Sequence, residues 1–118
     1  MTPDELIQQL RDAPESITFP AVIDTINTHY DYTPTHFSNG SGGGCVVNAA
    51  GTNAGSCRVF AFAQLHGLNE AETLVCFGEF YRDVLATPNG SDHANIRSFM
   101  RHGWKGIKFE GVVLTAIS

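Results

Sequence analysis

The sequence predicts an α+β fold in which about five helices pack with a small, mainly antiparallel sheet in a single domain. The chain has 118 residues, of which 42% are hydrophobic and 16% charged, a composition typical of one globular domain. Five segments repeat apolar residues every three or four positions, as amphipathic helices do. Shorter segments are strand-like and are separated from the helical ones by glycine and proline, which together predict the α+β class.

The first two helices are predicted near the N-terminus. Thr2 and Glu5 have the spacing of a capping box, with Pro3 at the first helical position, and Pro14 ends this helix. The second helix is predicted over residues 18–29, where apolar side chains have the spacing of one buried helix face. Both helices are expected to be short and amphipathic.

The small sheet is predicted from three segments. Residues 32–37 predict a strand that Pro34 confines to a sheet edge or a strand entry. Residues 45–47 predict its partner strand, across a glycine-rich turn at residues 39–44. A third, half-exposed strand is predicted over residues 107–114, because apolar and charged side chains alternate at its start.

Three further helices are predicted between these strand regions. One begins near Asn53 and ends at Gly67, and because it is apolar around most of its circumference we expect it to be the buried central helix. The next is predicted to run without interruption from Asn69 through Leu85. The last is predicted over residues 91–103 and ends at a glycine.

Charge and cysteine content argue against several classes of protein. Acidic residues number 12 against 7 basic ones, and Arg11 is the only basic residue among residues 1–55, which disfavours nucleic-acid binding. No apolar run is long enough to span a membrane, and the N-terminus lacks the pattern of a cleaved signal peptide. The three cysteines form no CxxC pair and the histidines show no metal-ligand spacing, so we expect no metal and no cofactor.

Several blocks of the sequence have an unusual composition and a fixed order. They are Phe19-Pro20, Tyr30-Asp-Tyr-Thr-Pro-Thr35, Gly55-Ser-Cys-Arg-Val-Phe-Ala-Phe-Ala-Gln64, Cys76-Phe-Gly-Glu79, Asp92-His-Ala-Asn-Ile-Arg97, Gly103-Trp104 and Phe109-Glu-Gly111. Together these blocks resemble the HopJ type III effector family. The resemblance covers residues 17–115 and implies one HopJ-like domain over residues 1–118, in a bacterial protein related to an effector of plant-pathogenic bacteria. It implies no particular activity, substrate or catalytic residue.

The leading hypothesis for function is a partner-binding or regulatory protein, because no complete catalytic constellation is found in the sequence. The partner is an unidentified protein or a small anionic ligand. The capped acidic helix at the N-terminus differs from the unfolded, serine-rich start of a type III export signal. We therefore expect a role in the bacterial cytoplasm at least as much as secretion into a host cell.

A cysteine-dependent hydrolase or acyl-transfer enzyme is the first alternative. Cys57 is predicted in the first turn of the central helix, where the aligned peptide dipoles favour a thiolate. His93 is the histidine selected as its base, because a position at a helix start keeps an imidazole neutral. The competing interpretation is structural, with Cys57 packed at the helix entry and His93 exposed in a turn.

Binding of a small anionic ligand is the second alternative. Gly51, Asn53, Gly55 and Ser56 belong to a glycine-rich loop that precedes a helix, and a helix N-terminus attracts anions. The loop lacks the lysine of a P-loop, so a turn with unusual φ angles is the competing interpretation.

A cationic run near the C-terminus is a further candidate for anion binding. From it we select Arg97, Arg101 and Trp104, since two cations one helical turn apart and an aromatic ring suit an anionic partner. The competing interpretation is that cations near a helix C-terminus offset the helix dipole.

Overall fold

Six α-helices and five short β-strands, joined by turns, build the fold over residues 1–117, the part of the chain that the computed structural model describes. None of the helices described there is long and apolar enough to cross a membrane. The predicted α+β class is confirmed. The helices are α1 (Pro3–Asp12), α2 (Phe19–His29), α3 (Ala54–Leu65), α4 (Glu70–Val75), α5 (Glu79–Ala86) and α6 (Ala94–His102); the strands are β1 (Tyr30–Tyr32), β2 (Phe37–Asn39), β3 (Val46–Asn48), β4 (Ile107–Phe109) and β5 (Leu114–Ala116).

The strands form two antiparallel sheets instead of the single sheet predicted. In the first sheet β1 pairs with β5, and Tyr32 lies opposite Leu114. In the second sheet the order is β3-β2-β4, and Phe37 of the central strand lies opposite both Asn48 and Phe109. Each sheet therefore contains a strand from the C-terminal segment.

Two of the predicted strands are wrong in extent because each is divided between the two sheets. Residues 32–37 contain the end of β1 and the start of β2, and residues 107–114 contain β4 and the start of β5. Pro34, which has no N–H to donate to a strand partner, lies where the chain leaves the first sheet. The predicted pairing of residues 45–47 across the glycine turn is confirmed, with the strand displaced by one residue to β3.

The two N-terminal helices begin at their predicted caps. The Thr2 hydroxyl accepts a hydrogen bond from the Glu5 N–H at 3.1 Å, and the Glu5 carboxylate accepts one from the Thr2 N–H at 2.7 Å. The Thr18 hydroxyl accepts a hydrogen bond from the Ala21 N–H in α2. These local hydrogen bonds satisfy amide groups that a helix start leaves unpaired.

The helix predicted to continue from Asn69 is interrupted at residues 76–78, which separate α4 from α5. Gly78 has φ +56° and ψ −127°, a conformation that side chains with a Cβ rarely adopt. A Cβ there would lie 2.6 Å from the backbone nitrogen of Phe19. Instead the Glu79 carboxylate accepts a hydrogen bond from the Phe19 N–H at 2.6 Å, so the interruption joins α5 to the start of α2.

α3 is the buried central helix, as predicted. Its Phe60 is fully buried and packs against aromatic rings from a strand, the α4–α5 junction, α6 and the turn that follows α6. The centroid distances from Phe60 are 6.1 Å to Phe37, 5.3 Å to Phe77, 5.0 Å to Phe99 and 6.5 Å to Trp104. Such pairs stabilise a fold beyond the burial of their surface, so α3 holds the other elements together.

We expect Gly78→Ala to destabilise the protein by roughly 2–4 kcal/mol, because the new Cβ is both strained and in contact with the backbone of α2. Gly67→Ala is the matched control, since Gly67 also has a positive φ of +63° but nothing lies within 4 Å of its added Cβ. It should cost roughly 1–2 kcal/mol. Denaturant unfolding measures both variants, and equal losses would contradict a role for the close approach at Gly78.

Candidate functional site

A cleft of about 330 Å³ opens where the N-termini of α3 and α6 meet. This volume lies within the range of pockets that hold small molecules. Phe19, Phe77 and Phe80 supply aromatic surface to its lining. Polar groups come from the two helix starts, which include Ser56 and His93. The cleft therefore combines an apolar wall with polar groups at one end of two helices.

Both helices begin at a residue in the left-handed conformation. Asn53 before α3 has φ 47° and ψ 45°, and His93 before α6 has φ 51° and ψ 50°. Among residues 1–117 these are the only residues other than glycine with a positive φ. Neither side chain accepts a hydrogen bond from its own helix. The first-turn amides of both helices thus have no side-chain cap, and the helix dipoles add partial positive charge beside the cleft.

Four asparagines connect these two helix starts to the second sheet. The Asn48 side-chain oxygen in β3 accepts hydrogen bonds from the side-chain amides of Asn53 at 2.7 Å and Asn95 at 3.0 Å. The Asn95 oxygen accepts one from Asn39 in β2 and one from Asn48, each at 3.1 Å. Asn39, Asn48 and Asn95 are buried. We call these four residues the asparagine network, and it occupies the Asn53 side chain that would otherwise be free to cap α3.

His93 lies at the rim of the cleft beside two carboxylates. Its Nε2 is 3.8 Å from Asp92 and 4.0 Å from Asp83, and its ring packs 5.3 Å from that of Phe80. Asp92 also pairs with the Arg97 guanidinium at 2.7 Å, which holds the pKa of Asp92 below its ordinary value. Within residues 1–117, no three histidine, cysteine or acidic side chains are placed to hold a metal ion.

Cys57 does not line the cleft, although it belongs to the same helix turn as Ser56. Its side chain is 1% exposed, and its thiol donates a hydrogen bond to the Thr35 carbonyl at 3.8 Å. Burial raises the pKa of the Cys57 thiol, which disfavours the thiolate. No histidine nitrogen in the described chain forms a hydrogen bond with it. The structure therefore does not assemble the predicted pair of Cys57 and His93.

The structure does bring together most of the glycine-rich loop residues selected from the sequence. Asn53, Gly55 and Ser56 all line the cleft, and His93 faces them from the start of α6. Gly51, by contrast, lies in an exposed turn with φ +87° and does not contribute to the lining.

The selected cationic and aromatic residues lie elsewhere. Arg97 is 9% exposed and donates to the Thr87 carbonyl at 2.9 Å, so its guanidinium is occupied within the fold. Arg101 is exposed and lines a separate cavity of about 320 Å³ between α5 and α6. The Trp104 indole N–H donates to the Leu68 carbonyl at 3.1 Å and its ring packs in the core. Arg97 and Trp104 therefore have structural contacts.

The sequence reasoning missed Asn39, Asn48 and Asn95. Each is a polar residue in a short segment that otherwise reads as a strand or as a helix start. An amide that interrupts an apolar pattern is a signal for a buried hydrogen bond, because burial without one is costly. That signal does not reveal which amides pair.

Fold and site together define a small α+β protein with a ligand-sized cleft between two helix N-termini. The chain belongs to the HopJ type III effector protein family, whose profile matches residues 3–114. It is also similar to the crystal structure of VPA0580, a protein of unknown function, with 45% sequence identity and a TM-score of 0.91 over 97% of this chain and 92% of that one. The comparison with curated proteins gave no match.

Loss of the central amide of the asparagine network should destabilise the fold. Asn48→Ala leaves the buried side-chain amide of Asn95 and the amide of Asn53 without their acceptor, so we expect a loss of roughly 2–4 kcal/mol in the free energy of unfolding. Asn53→Gly is the control, because it keeps the positive φ and removes only an exposed member of the network. It should cost less than about 1 kcal/mol. Chemical denaturation measures both, and a loss for Asn48→Ala no larger than the control's would contradict the role of the network.

The three thiols should differ in reactivity toward iodoacetamide at neutral pH. Cys45 is half-exposed and should be alkylated in the native protein. Cys57 and Cys76 should react only on unfolding, because burial raises both pKa values, that of Cys76 to about 12. Mass spectrometry after timed labelling reports each site, and Cys45→Ser should leave the native protein unlabelled. Native alkylation of Cys57 as fast as that of Cys45 would instead support the hydrolase hypothesis.

Proposed function

We propose that this protein binds a small ligand with an anionic group and an apolar body in the cleft between α3 and α6. The observation that carries the proposal is that the first turns of two helices, both without side-chain caps, line one cleft of ligand size. Backbone amides at a helix start bind carboxylate or phosphate oxygens, and the helix dipole favours their negative charge. Two such starts beside one cavity add their contributions.

The lining also supports a preference for the rest of the ligand. Phe19 and Phe80 are half-buried and pack edge to face at a centroid distance of 4.9 Å, which leaves aromatic surface along the cleft. An apolar body that covers this surface gains from removal of its own and the protein's apolar area from water. The carboxylates of Asp83 and Asp92 at the rim repel an anionic group. We therefore expect the anionic group of the ligand to bind at the amides of Gly55 and Ser56, on the side of the cleft away from Asp83.

Non-covalent binding is favoured over cysteine chemistry by the same geometry. The cleft contains the predicted base, His93, but the predicted nucleophile, Cys57, is buried outside it. Membership of a type III effector family supports secretion into a host cell as the setting for this binding. The proposal agrees with the leading hypothesis from the sequence if the protein is regulatory, so that the ligand-bound form acts on a partner.

Ser56→Asp tests the site, because the new carboxylate competes with the anionic group of the ligand for the same backbone amides. An aspartate in the first turn of α3 places its own carboxylate near the free amides, so it should stabilise the protein by roughly 0.3–1 kcal/mol and abolish ligand binding. Ser56→Asn, which has the same shape without the charge, should retain binding. The probes are phenyl phosphate and inorganic phosphate, and we expect phenyl phosphate to bind more tightly because of its ring.

Amide ¹H–¹⁵N spectra locate the binding of both probes. In the unmodified protein the amides of residues 54–56 and 94–96 should shift and saturate with phenyl phosphate. Shifts confined to exposed cations such as Lys105 and Lys108, or equal binding by the aspartate and asparagine variants, would contradict the proposal.

A further inference from the structure

His93 lines the cleft in an unfavourable backbone conformation, and within residues 1–117 its side chain forms no hydrogen bond that offsets the cost. Its φ of 51° is in the left-handed region, which disfavours a residue with a Cβ. Asn53, the other such residue in that range, donates a side-chain hydrogen bond to Asn48. The His93 Nε2 instead lies 3.8 Å from Asp92 and 4.0 Å from Asp83, both too far for a hydrogen bond. An unfavourable conformation in the lining of a cleft indicates a use for the side chain there.

Charged groups face His93 from α5 and from the turn before α6. Asp92 accepts a hydrogen bond from the Arg97 guanidinium at 2.7 Å, so these two charges offset each other. Asp83 of α5 forms no ion pair with an arginine or lysine of the described chain. While the His93 imidazole is neutral, the rim of the cleft therefore keeps the negative charge of Asp83, which repels an anionic ligand.

The other elements at the cleft place no charge beside His93. Glu79 is the other carboxylate of α5, but it accepts a hydrogen bond from the Phe19 N–H at 2.6 Å and so faces the start of α2. Phe80, which packs against the imidazole, is uncharged. The start of α3 and β3 contribute only uncharged residues to the lining, namely Asn53, Gly55, Ser56 and Val46.

Two effects of opposite sign act on a proton at His93. The start of α6 carries about half a positive elementary charge, which opposes a further positive charge there. The two carboxylates within 4.0 Å of Nε2 favour it. Because the effects oppose each other, neither prevents protonation, and the side chain is 28% exposed to solvent. Imidazole side chains as a class gain their proton between about pH 8 and pH 5.

A charge on His93 influences an anion anywhere in the cleft. A compact cleft of about 330 Å³ is on the order of 7 Å across, which is less than the roughly 8 Å over which physiological salt screens a charge. An anion at the amides of Gly55 and Ser56 is therefore influenced by the charge at the rim without touching His93.

We propose that protonation of His93 controls the affinity of the cleft for anionic ligands, so that binding strengthens as the pH falls below neutrality. The inference rests on the proposed function and names a regulation of the same site. A protonated His93 offsets the charge of Asp83 and removes the repulsion that the neutral imidazole leaves in place. By linkage, a bound anion increases the proton affinity of His93 by the same factor.

The test measures the affinity for benzenesulfonate at about pH 5.5 and about pH 8, on either side of the imidazole transition. The sulfonate is ionised at both values, whereas a phosphate ester changes its own charge near about pH 6. We expect the unmodified protein to bind benzenesulfonate about five to ten times more tightly at the lower pH. Equal binding at both values would overturn the role of His93 and leave the proposed function standing. Absence of binding at both values would overturn both.

Histidine ring signals, followed by NMR against pH, give a second measurement on the unmodified protein. The His93 signals should titrate at a higher pH when benzenesulfonate is present, and the His36 signals should not. His36 lies 3.7 Å from Glu110 and does not line the cleft. A His93 titration that the probe leaves unchanged would overturn the proposal.

His93→Asn removes the titrating group and keeps a residue that tolerates the left-handed conformation, as Asn53 does. At about pH 8 it should bind benzenesulfonate within about twofold of the unmodified protein, and it should gain no affinity at the lower pH. His36→Asn is the matched control and should keep the gain. A gain that persists in His93→Asn would show that another group is responsible, which overturns the proposal.

Asp83→Asn tests the charge that the proton on His93 offsets. We expect it to bind benzenesulfonate about five times more tightly than the unmodified protein at about pH 8. Asp31→Asn is the matched control, because Asp31 is an exposed aspartate of β1 that does not line the cleft, and its loss changes the net charge equally. Equal effects of the two variants would show that binding follows overall charge, and the proposal would fail.

Discussion

The structure around the cleft depends on one buried hydrogen-bond network. Asn48 in β3 and Asn95 in α6 each use both atoms of their amide groups, and they are joined by Asn39 from β2 and Asn53 from the start of α3. In a surrounding of low polarity such bonds are strong and their loss is costly. They fix two helix starts relative to one sheet edge and hold Asn53 away from its own helix, which leaves amides free beside the cleft.

A competition between two electrostatic effects decides what the central helix start can do. The aligned dipoles of α3 favour negative charge at its N-terminus, but removal from water disfavours a charged thiolate more strongly when the sulfur is fully enclosed. Cys57 is on the enclosed side of the turn, where burial raises its pKa, whereas Ser56 is next to the cleft. Two neighbouring residues of one helix turn therefore differ in their chemistry: Cys57 is kept neutral in the core, whereas Ser56 lies where an anion can bind.

Local signals in the sequence predicted the starts of α1 to α4, the central position of α3 and the position of the glycine-rich loop before a helix N-terminus, but they placed the start of α6 two or three residues too early. Capping depends on residues three apart, so Thr2 and Glu5 were sufficient for α1. The break at Gly78 was missed because the contact made there is with the backbone of Phe19, which is distant in sequence. The asparagine network was missed for the same reason: Asn48 and Asn95 are 47 positions apart, and an alternating pattern contains no information on which buried amides meet.

The division of the C-terminal segment between the two sheets has a consequence for folding while the chain is being synthesised. β4 completes one sheet and β5 completes the other, each beside a strand formed much earlier in the chain. A polypeptide that emerges N-terminus first presents amphipathic helices while both sheets still lack their final strand, so neither sheet can close until residues 107–116 have emerged. Completion of both sheets therefore waits for the end of the chain, and a pause before that point leaves strand edges open to aggregation.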